Sequence, residues 1–345
     1  MTIVVKLGSS LVVDGRGRVR RTLLEARADD LATIFAAGED VCLVSSGAIA
    51  LGLPLLGLTR RPRATPRLQA TSAVGQVRLQ LAWEHALRKH GLRSAQVLIS
   101  ASDLAERSSY VNAQNALRAL LRLGVVPVLN ENDATATDEI TFGDNDALAA
   151  RIAILLGARL LVLLTEVDGV YDSHPAQPGA RRLASGDALD EISIGPAGPL
   201  GRGGMESKVL AARLAAEAGI PTVIASGHGA GVVRAIAAGE ARGTSFRASA
   251  APASAFRLWL RHAKPTSGHL VVDEGARKAI TKDGRSLLAV GVLHCDGDFV
   301  AGDAVELRAP DGSTVGKGIA GASATELRQR PRGIEAVHRD RLVLY

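Results

Sequence analysis

The strand-like run Thr2-Ile3-Val4-Val5-Lys6-Leu7 carries a lysine where its neighbours are apolar. A second lysine, Lys208, ends the segment Gly201-Arg202-Gly203-Gly204-Met205-Glu206-Ser207-Lys208, a glycine-rich turn running into a helix-period stretch. Between them, Asn130-Glu131-Asn132-Asp133 and Gly143-Asp144-Asn145-Asp146 crowd carboxylates and amides into two loops. Lys6-Leu7-Gly8-Ser9-Ser10 and Ser45-Ser46-Gly47-Ala48 each follow a strand with a Gly/Ser turn, which lets backbone N–H groups approach an oxyanion closely. Taken singly, each feature has an ordinary explanation: a tight turn, an N-cap, a lysine reaching water. Together they supply what phosphoryl transfer needs. The transferred group spreads negative charge over its oxygens, so catalysis is chiefly positioning and electrostatic stabilisation. The Gly201–Lys208 segment is not the GxxxxGK[ST] phosphate loop, so the lysines must be placed by another scaffold.

That scaffold is legible in the hydrophobic pattern. Strands are predicted at Ile3–Leu7, Val41–Ser45, Gln96–Ile99, Val125–Asn130, Arg159–Thr165 and Pro221–Ala225. Helices are predicted at Leu23–Ala37, Leu68–His90, Ser108–Leu123, Asn145–Leu156 and Met205–Ala218. Gly38, Gly91, Gly124, Gly157 and Gly219 follow these helices, where the chain must turn through positive φ. Strands alternating with helices indicate an α/β fold with a mainly parallel sheet covered on both faces. Such sheets bind ligands beyond the carboxyl ends of their strands, where the Lys6 and Ser45 turns would lie.

Ala248–Ala255 is small and proline-containing and reads as a linker. After Lys264 the pattern changes to short apolar runs, His269–Val272, Leu287–Val292 and Ala304–Leu307, separated by Asp283-Gly284, Asp296-Gly297 and Asp311-Gly312. This predicts a small β-rich barrel or sandwich.

The chain has 345 residues, 47% of them hydrophobic and 22% charged, which suits a large packed core and excludes a disordered chain. No apolar stretch reaches the length of a membrane span and no signal peptide is evident, so a cytoplasmic protein without membrane partners is expected. Cys42 and Cys295, far apart in sequence, read as buried hydrophobes rather than a disulfide. The net charge is +6, and the last 84 residues, with 12 Lys and Arg against 11 Asp and Glu, contribute only +1 of it. Upstream, Arg60, Arg61, Arg63 and Arg67 sit in a stretch from Val41 to Trp83 that has no acids and could draw in anionic small molecules.

The segments VVKLGSS, SSGAIALG, VLNENDATAT, FGDNDALAA, LLTEVDGVY and GRGGMESK, in this order, resemble the amino-acid kinases. The resemblance is closest to the glutamate-phosphorylating branch of that family, and SGHLVVDEGARKAI and AVHRDRLVLY resemble its C-terminal PUA domain. It implies a three-layer αβα sandwich over residues 1–246, a linker at 247–264 and a PUA-like domain at 265–345. The implied reaction moves the γ-phosphoryl of ATP, with Mg²⁺, to the side-chain carboxylate of L-glutamate, the first step of proline biosynthesis. By the same resemblance Lys6 and Lys208 stabilise the moving phosphoryl and Asp146 holds them. Ser46, Gly47, Asp133 and Asn145 take glutamate. Gly8, Ser9, Thr165 and Glu166, with Arg202, Gly203, Gly204, Met205, Glu206 and Ser207, take the nucleotide. No dedicated protein cage for a metal is implied. Glu166 stands where the family commonly has Asp, Arg202 where it has Thr, and Glu206 where relatives carry a small or neutral residue.

A glutamate side chain is already ionised at neutral pH, with a pKa near ~4.3, so no general base is needed. The resemblance also suggests a homo-oligomer, proline as an inhibitor, and hand-over of the labile acyl phosphate to a reductase. Two alternatives stay open: another amino-acid kinase acting on acetylglutamate or aspartate, and an RNA-binding PUA protein. RNA is disfavoured by the balanced charge of the tail and its two aromatics after Lys264, Phe299 and Tyr345.

Overall fold

The computed structural model describes residues 1–135, 145–189 and 204–345. The chain divides into two compact units, Met1–Asp103 with Arg107–Pro252, and Leu104–Glu106 with Ala253–Tyr345. The first unit runs β1 (Thr2–Leu7), α1 (Ser9–Val12), α2 (Arg21–Ala36), β2 (Asp40–Ser45), α3 (Ala48–Leu55), α4 (Thr65–Arg88) and β3 (Arg93–Ile99). It continues through α5 (Ala101–Ala105), α6 (Arg107–Arg122), β4 (Val125–Glu131), α7 (Asn145–Leu156), β5 (Leu160–Thr165), α8 (Gly204–Glu217), β6 (Thr222–Ser226), α9 (Val232–Ala237) and β7 (Thr244–Phe246).

The seven strands form one sheet in the order β3-β4-β2-β1-β5-β6-β7. All neighbours are parallel except β7, which runs antiparallel to β6. β1 and β5 are adjacent, and the sheet extends from them through β2 on one side and β6 on the other. Such a switch point leaves a crevice beyond the strand ends, and ligands of open α/β sheets bind there. The glycines after the five predicted helices all have positive φ: Gly38 82°, Gly91 74°, Gly124 66°, Gly157 63° and Gly219 80°.

Strand alternation explains how a lysine fits the central strand. Ile3, Val5 and Leu7 share a buried cluster with Leu24 and Leu31 of α2, Leu79 and Trp83 of α4, and Val233 of α9. Val4 and Lys6 therefore point to the opposite face, where α7 packs against β1. Lys6 is only 4% exposed, so its ammonium does not escape to water.

α3 and α4 pack through paired glycines. A Cβ at Gly75 would lie 1.8 Å from the Ala48 carbonyl oxygen, and one at Gly52 would lie 1.9 Å from that of Thr71. The close approach sets the height of α4, whose buried face alternates apolar Leu68, Leu79 and Trp83 with polar Ser72 and Gln76.

The second unit runs α10 (Ala255–His262), β8 (Thr266–Val272), α11 (Glu274–Thr281), β9 (Leu287–Leu288), β10 (Val292–Gly297), β11 (Ala304–Arg308), β12 (Thr314–Ala320), α12 (Ala324–Arg328) and β13 (Glu335–Leu344). Its sheet order is β10-β8-β11-β12-β13-β9, antiparallel except for the β11–β8 pair. Leu270, Phe299, Leu307, Leu327 and Val337 lie in its core. The three Asp-Gly turns bend through Gly284, Gly297 and Gly312, at φ 60°, 96° and 83°.

Among the elements that escape the sequence reading are β7, α3 and α10. β7 is three residues long, too short for periodicity to register. α3 sits inside SSGAIALG, where the glycines mask it. α10 lies within the stretch taken as linker: Ser254 caps it by accepting from the Arg257 N–H at 3.3 Å, and Leu258, Trp259 and Leu260 are buried. Its eight residues follow a small, proline-containing run that hides their amphipathic pattern. Both cysteines are buried and free, and among the described residues no helix is long and apolar enough to cross a membrane.

The glycine crossing is testable. Gly75→Ala should destabilise the fold by about 3 kcal/mol, since backbone rather than a flexible side chain must move. Gly15→Ala, where an added methyl meets nothing within 4 Å, should stay within about 0.5 kcal/mol. Chemical denaturation of the two variants beside the parent makes the comparison. Equal stability of all three would show that the crossing is loose.

Candidate active site

Asp146, in the first turn of α7, is the point where the two lysines meet. Lys6 Nζ lies 2.6 Å from its Oδ1 and Lys208 Nζ 3.0 Å from its Oδ2. Ser207 donates its hydroxyl to Oδ2 at 2.9 Å. Lys208 also donates to the Gly204 carbonyl at 2.8 Å, which fixes its side chain against the first turn of α8. Lys6, Asp146 and Lys208 are 4%, 4% and 7% exposed. Burial alone would push the Asp146 carboxyl up, but the two ammonium charges and their hydrogen bonds hold it below the usual carboxylate range. Removing that carboxylate would leave two buried cations facing each other, a loss of about 3–5 kcal/mol. The trio carries a formal charge of +1, so its environment favours an arriving anion.

Beside it runs a chain of polar side chains. Asn145 donates to Ser46 Oγ and to Asn130 Oδ1, each at 2.8 Å, and Asn130 donates to Gln76 Oε1 at 2.8 Å. Gly47, at φ 123°, turns the chain from the β2 end into α3, and a Cβ there would press on Val12 and Val13 at 3.2–3.3 Å. Ser72 of α4 donates to Asp133 Oδ2, and Asp133 is 6% exposed. Burial pushes the Asp133 carboxyl up, while the Ser72 hydrogen bond and the Arg61 charge pull it back. The basic stretch around Arg60 thus acts on this carboxylate. Among the described residues, Asp133 Oδ1, Asn145 Oδ1 and Gln76 Nε2 are buried without a hydrogen-bond partner. Native structures rarely leave such atoms bare, so these three are available to a polar ligand.

The far side of the crevice is formed by the ends of β1 and β5 and the start of α8. Gly8 and Ser9 open α1, with room for a Cβ at Gly8 only 3.9 Å from the Leu164 carbonyl. Thr165 ends β5, and its carbonyl accepts from the Gly227 N–H at 2.8 Å. Glu166 follows, with Oε2 2.5 Å from His228 Nε2. Burial raises the Glu166 carboxyl, but hydrogen bonds from Ser10 and His228 outweigh it and hold the group low. Gly204, Met205 and Glu206 form the first turn of α8, with Glu206 exposed. Arg202 and Gly203, like Gly143 and Asp144, lie outside the described residues.

The structure therefore brings together Lys6, Asp146, Ser207 and Lys208, and next to them Ser46 and Asn145. Sequence reasoning passed over Ser72, Gln76 and His228. The first two stand at spacing four on one face of a long helix, and only the tertiary fold shows that this face is buried. His228 carries no signal, because a histidine in a Gly-rich loop is ordinarily solvated. Among the described residues no three His, Cys, Asp or Glu side chains gather where they could hold a metal ion.

The sequence matches the model of the amino acid kinase family over residues 1–226. The chain belongs to that family. A PUA domain match covers residues 268–340. The chain is 42% identical to the glutamate 5-kinase of Burkholderia cenocepacia over 99% of its own length and 97% of that protein's. It is 45% identical to the glutamate 5-kinase of Streptomyces coelicolor over 99% and 96%. Among solved structures, carbamate kinase from Giardia lamblia, bound to AMP-PNP, aligns at TM-score 0.53 and 16% identity over 72% of this chain and 98% of that one. UMP kinase from Bacillus anthracis aligns at 0.50 and 18% over 72% and 96%. At those identities the likeness establishes the amino acid kinase fold alone.

Asp133 gives a prediction with a definite sign. Its carboxyl is raised in the fold, so its contribution to stability is full below the unfolded value near ~3.9 and is lost as pH rises through the raised folded value. Asp133→Asn, which keeps an acceptor for Ser72, should melt higher than the parent at pH 7–8, with the difference fading toward pH 4. Thermal melts across pH read this directly, and a variant less stable at pH 8 than at pH 4, relative to the parent, would reverse the sign.

Proposed function

We propose that this protein transfers the γ-phosphoryl group of ATP to the side-chain carboxylate of L-glutamate, opening proline biosynthesis. The observation that carries the reading is the pair of buried lysines meeting on one carboxylate at the switch point of the sheet. Family membership and the name carried by relatives that match nearly the whole chain support it.

The chemistry follows from the residues. A carboxylate oxygen of glutamate attacks Pγ, the bond from Pγ to the bridging oxygen breaks, and ADP leaves with that electron pair. The product is an acyl phosphate. Lys6 and Lys208 would turn from Asp146 toward the moving phosphoryl, one from the β1 side and one from the α8 side. A unit charge pair at 4 Å is worth about 4 kcal/mol at an effective dielectric of ~20, so two lysines bear heavily on the barrier. Ser46, Gly47 and Asn145 would hold the glutamate side chain near them. Asp133, with its unpartnered Oδ1, would take the substrate ammonium. Gly8, Ser9, Thr165, Glu166 and the segment from Arg202 to Ser207 would receive the nucleotide. Mg²⁺, held by phosphate oxygens and water, would supply neutralising charge.

The same reading extends to context. Val74, Val77 and Leu81 line one exposed stripe of α4, and Leu55 and Leu56 are exposed at the end of α3. These apolar residues suit a homo-oligomer. A cytoplasmic site, inhibition by proline at the glutamate end, and delivery of the labile product to a reductase fit the same chemistry.

A hydroxamate assay with ATP, Mg²⁺ and a panel of carboxylates traps the acyl phosphate, and glutamate should be the preferred acceptor over acetylglutamate and aspartate. Lys6→Met and Lys208→Met should each lower kcat by about a hundred- to a thousandfold in folded protein. Near-parental turnover in either would remove that lysine from the chemistry. Asp133→Ala should raise the KM for glutamate by more than about tenfold and leave that for ATP nearly unchanged. The opposite pattern would move Asp133 to the nucleotide end.

A further inference from the structure

Glu166 stands where the family that the sequence resembles commonly has Asp, and its carboxylate is not free. It bridges Ser10, at the β1 end, and His228, on the loop after β6. That loop is held from behind. Arg27, in the middle of α2 and wholly buried, donates through Nη2 to the Gly229 carbonyl, one residue beyond His228. Asp30, also wholly buried, lies 3.4 Å from the same guanidinium and accepts the Val233 N–H of α9 at 3.2 Å. On the other flank Gly227 donates to Thr165 at 2.8 Å and lies where a Cβ would be 2.4 Å from Leu11. Backbone anchors on both sides of His228 thus fix its main chain, from which the exposed imidazole reaches Glu166.

An isolated buried Arg–Asp pair is expensive, and replacing both members together by well-packed hydrophobic residues is often neutral. Here both members also hold backbone, Arg27 the Gly229 carbonyl just before α9 and Asp30 the Val233 N–H in its first turn. A glutamate has one more rotatable bond than aspartate, so a carboxylate at this position loses more freedom on binding a ligand. His228 offsets that by fixing it in advance.

We infer that His228 is a nucleotide-site residue that presets the Glu166 carboxylate for the ribose hydroxyls of a nucleotide, and that Arg27 is the positioning residue that sets His228 through Gly229. The assignment of Glu166 to the nucleotide rests on the function proposed above. Glu166 then has two partners in the protein, Ser10 and His228, and lone pairs left to accept from the sugar, since a carboxylate offers about four acceptor sites. Ser10 couples this arrangement to the phosphate end through the same turn that carries Gly8 and Ser9.

Calorimetric titration with MgADP tests this without any acceptor. His228→Ala should weaken MgADP about tenfold, the weight of one hydrogen bond to a charged group, with the KM for glutamate unmoved. Undiminished MgADP affinity would overturn the role of His228. Arg27→Lys, which keeps a cation beside Asp30 but shortens its reach, should weaken MgADP in the parent and have no further effect in His228→Ala. The same loss in both backgrounds would make Arg27 merely structural and end its assignment. If Arg27→Lys does not fold, Asp30→Asn keeps an oxygen for the Val233 N–H and is read in the same two backgrounds. A parent enzyme that binds MgADP but makes no glutamyl hydroxamate would sink the acceptor assignment and leave this inference standing.

Discussion

One carboxylate shared by two ammonium groups organises the candidate active site of this molecule. Lys6 and Lys208 come from segments some 200 residues apart and meet only because Asp146 lies between them. Two cations at such separation repel by several kcal/mol in a medium of low effective dielectric. Asp146 cancels most of that repulsion and holds both ammonium groups in a buried site. A phosphoryl group arriving between them would take over the same work. The pair is therefore better understood as stored orientation than as a source of stability, in keeping with the modest net worth of buried ion pairs.

The fold makes that meeting possible by simple geometry. Strand alternation turns Lys6 to the α7 side of the sheet, and the first turn of α7 puts Asn145 and Asp146 side by side. Asn145 reaches toward Ser46 and Asn130 while Asp146 reaches toward the lysines. Two adjacent residues thus join the polar chain on one side to the cationic pair on the other. α4, drawn close by its glycine crossing with α3, closes the polar end with Ser72 and Gln76. The distance between the two ends is set by backbone packing.

Much of this was legible in the sequence, for physical reasons that also mark where legibility stops. Alternating strand and helix periods gave the parallel sheet, because each parallel strand needs a crossover and each crossover helix needs a glycine to end it. Lys6 stood out because a charged group in a central strand is costly unless something receives it. Asp146, Lys208, Asn145 and Ser46 lay at turns, where polar residues gather and spacing is informative. Ser72 and Gln76 were hidden because a long helix tolerates polar residues on its surface, and only the tertiary fold decides which face is inside. Nothing in the sequence marks Arg27 and Asp30, three residues apart on one helix, yet both are wholly buried. α10 fell inside the expected linker because its apolar face becomes visible only against the core it fills.

The central claim is that the two lysines address one phosphoryl group. A crystal structure with MgADP, glutamate and aluminium fluoride, which mimics the phosphoryl in flight, tests it most directly. The account predicts both Nζ atoms within about 3 Å of fluorine atoms on the same aluminium. It is contradicted if either lysine stays on Asp146 alone or points to a different part of the crevice while the mimic is bound.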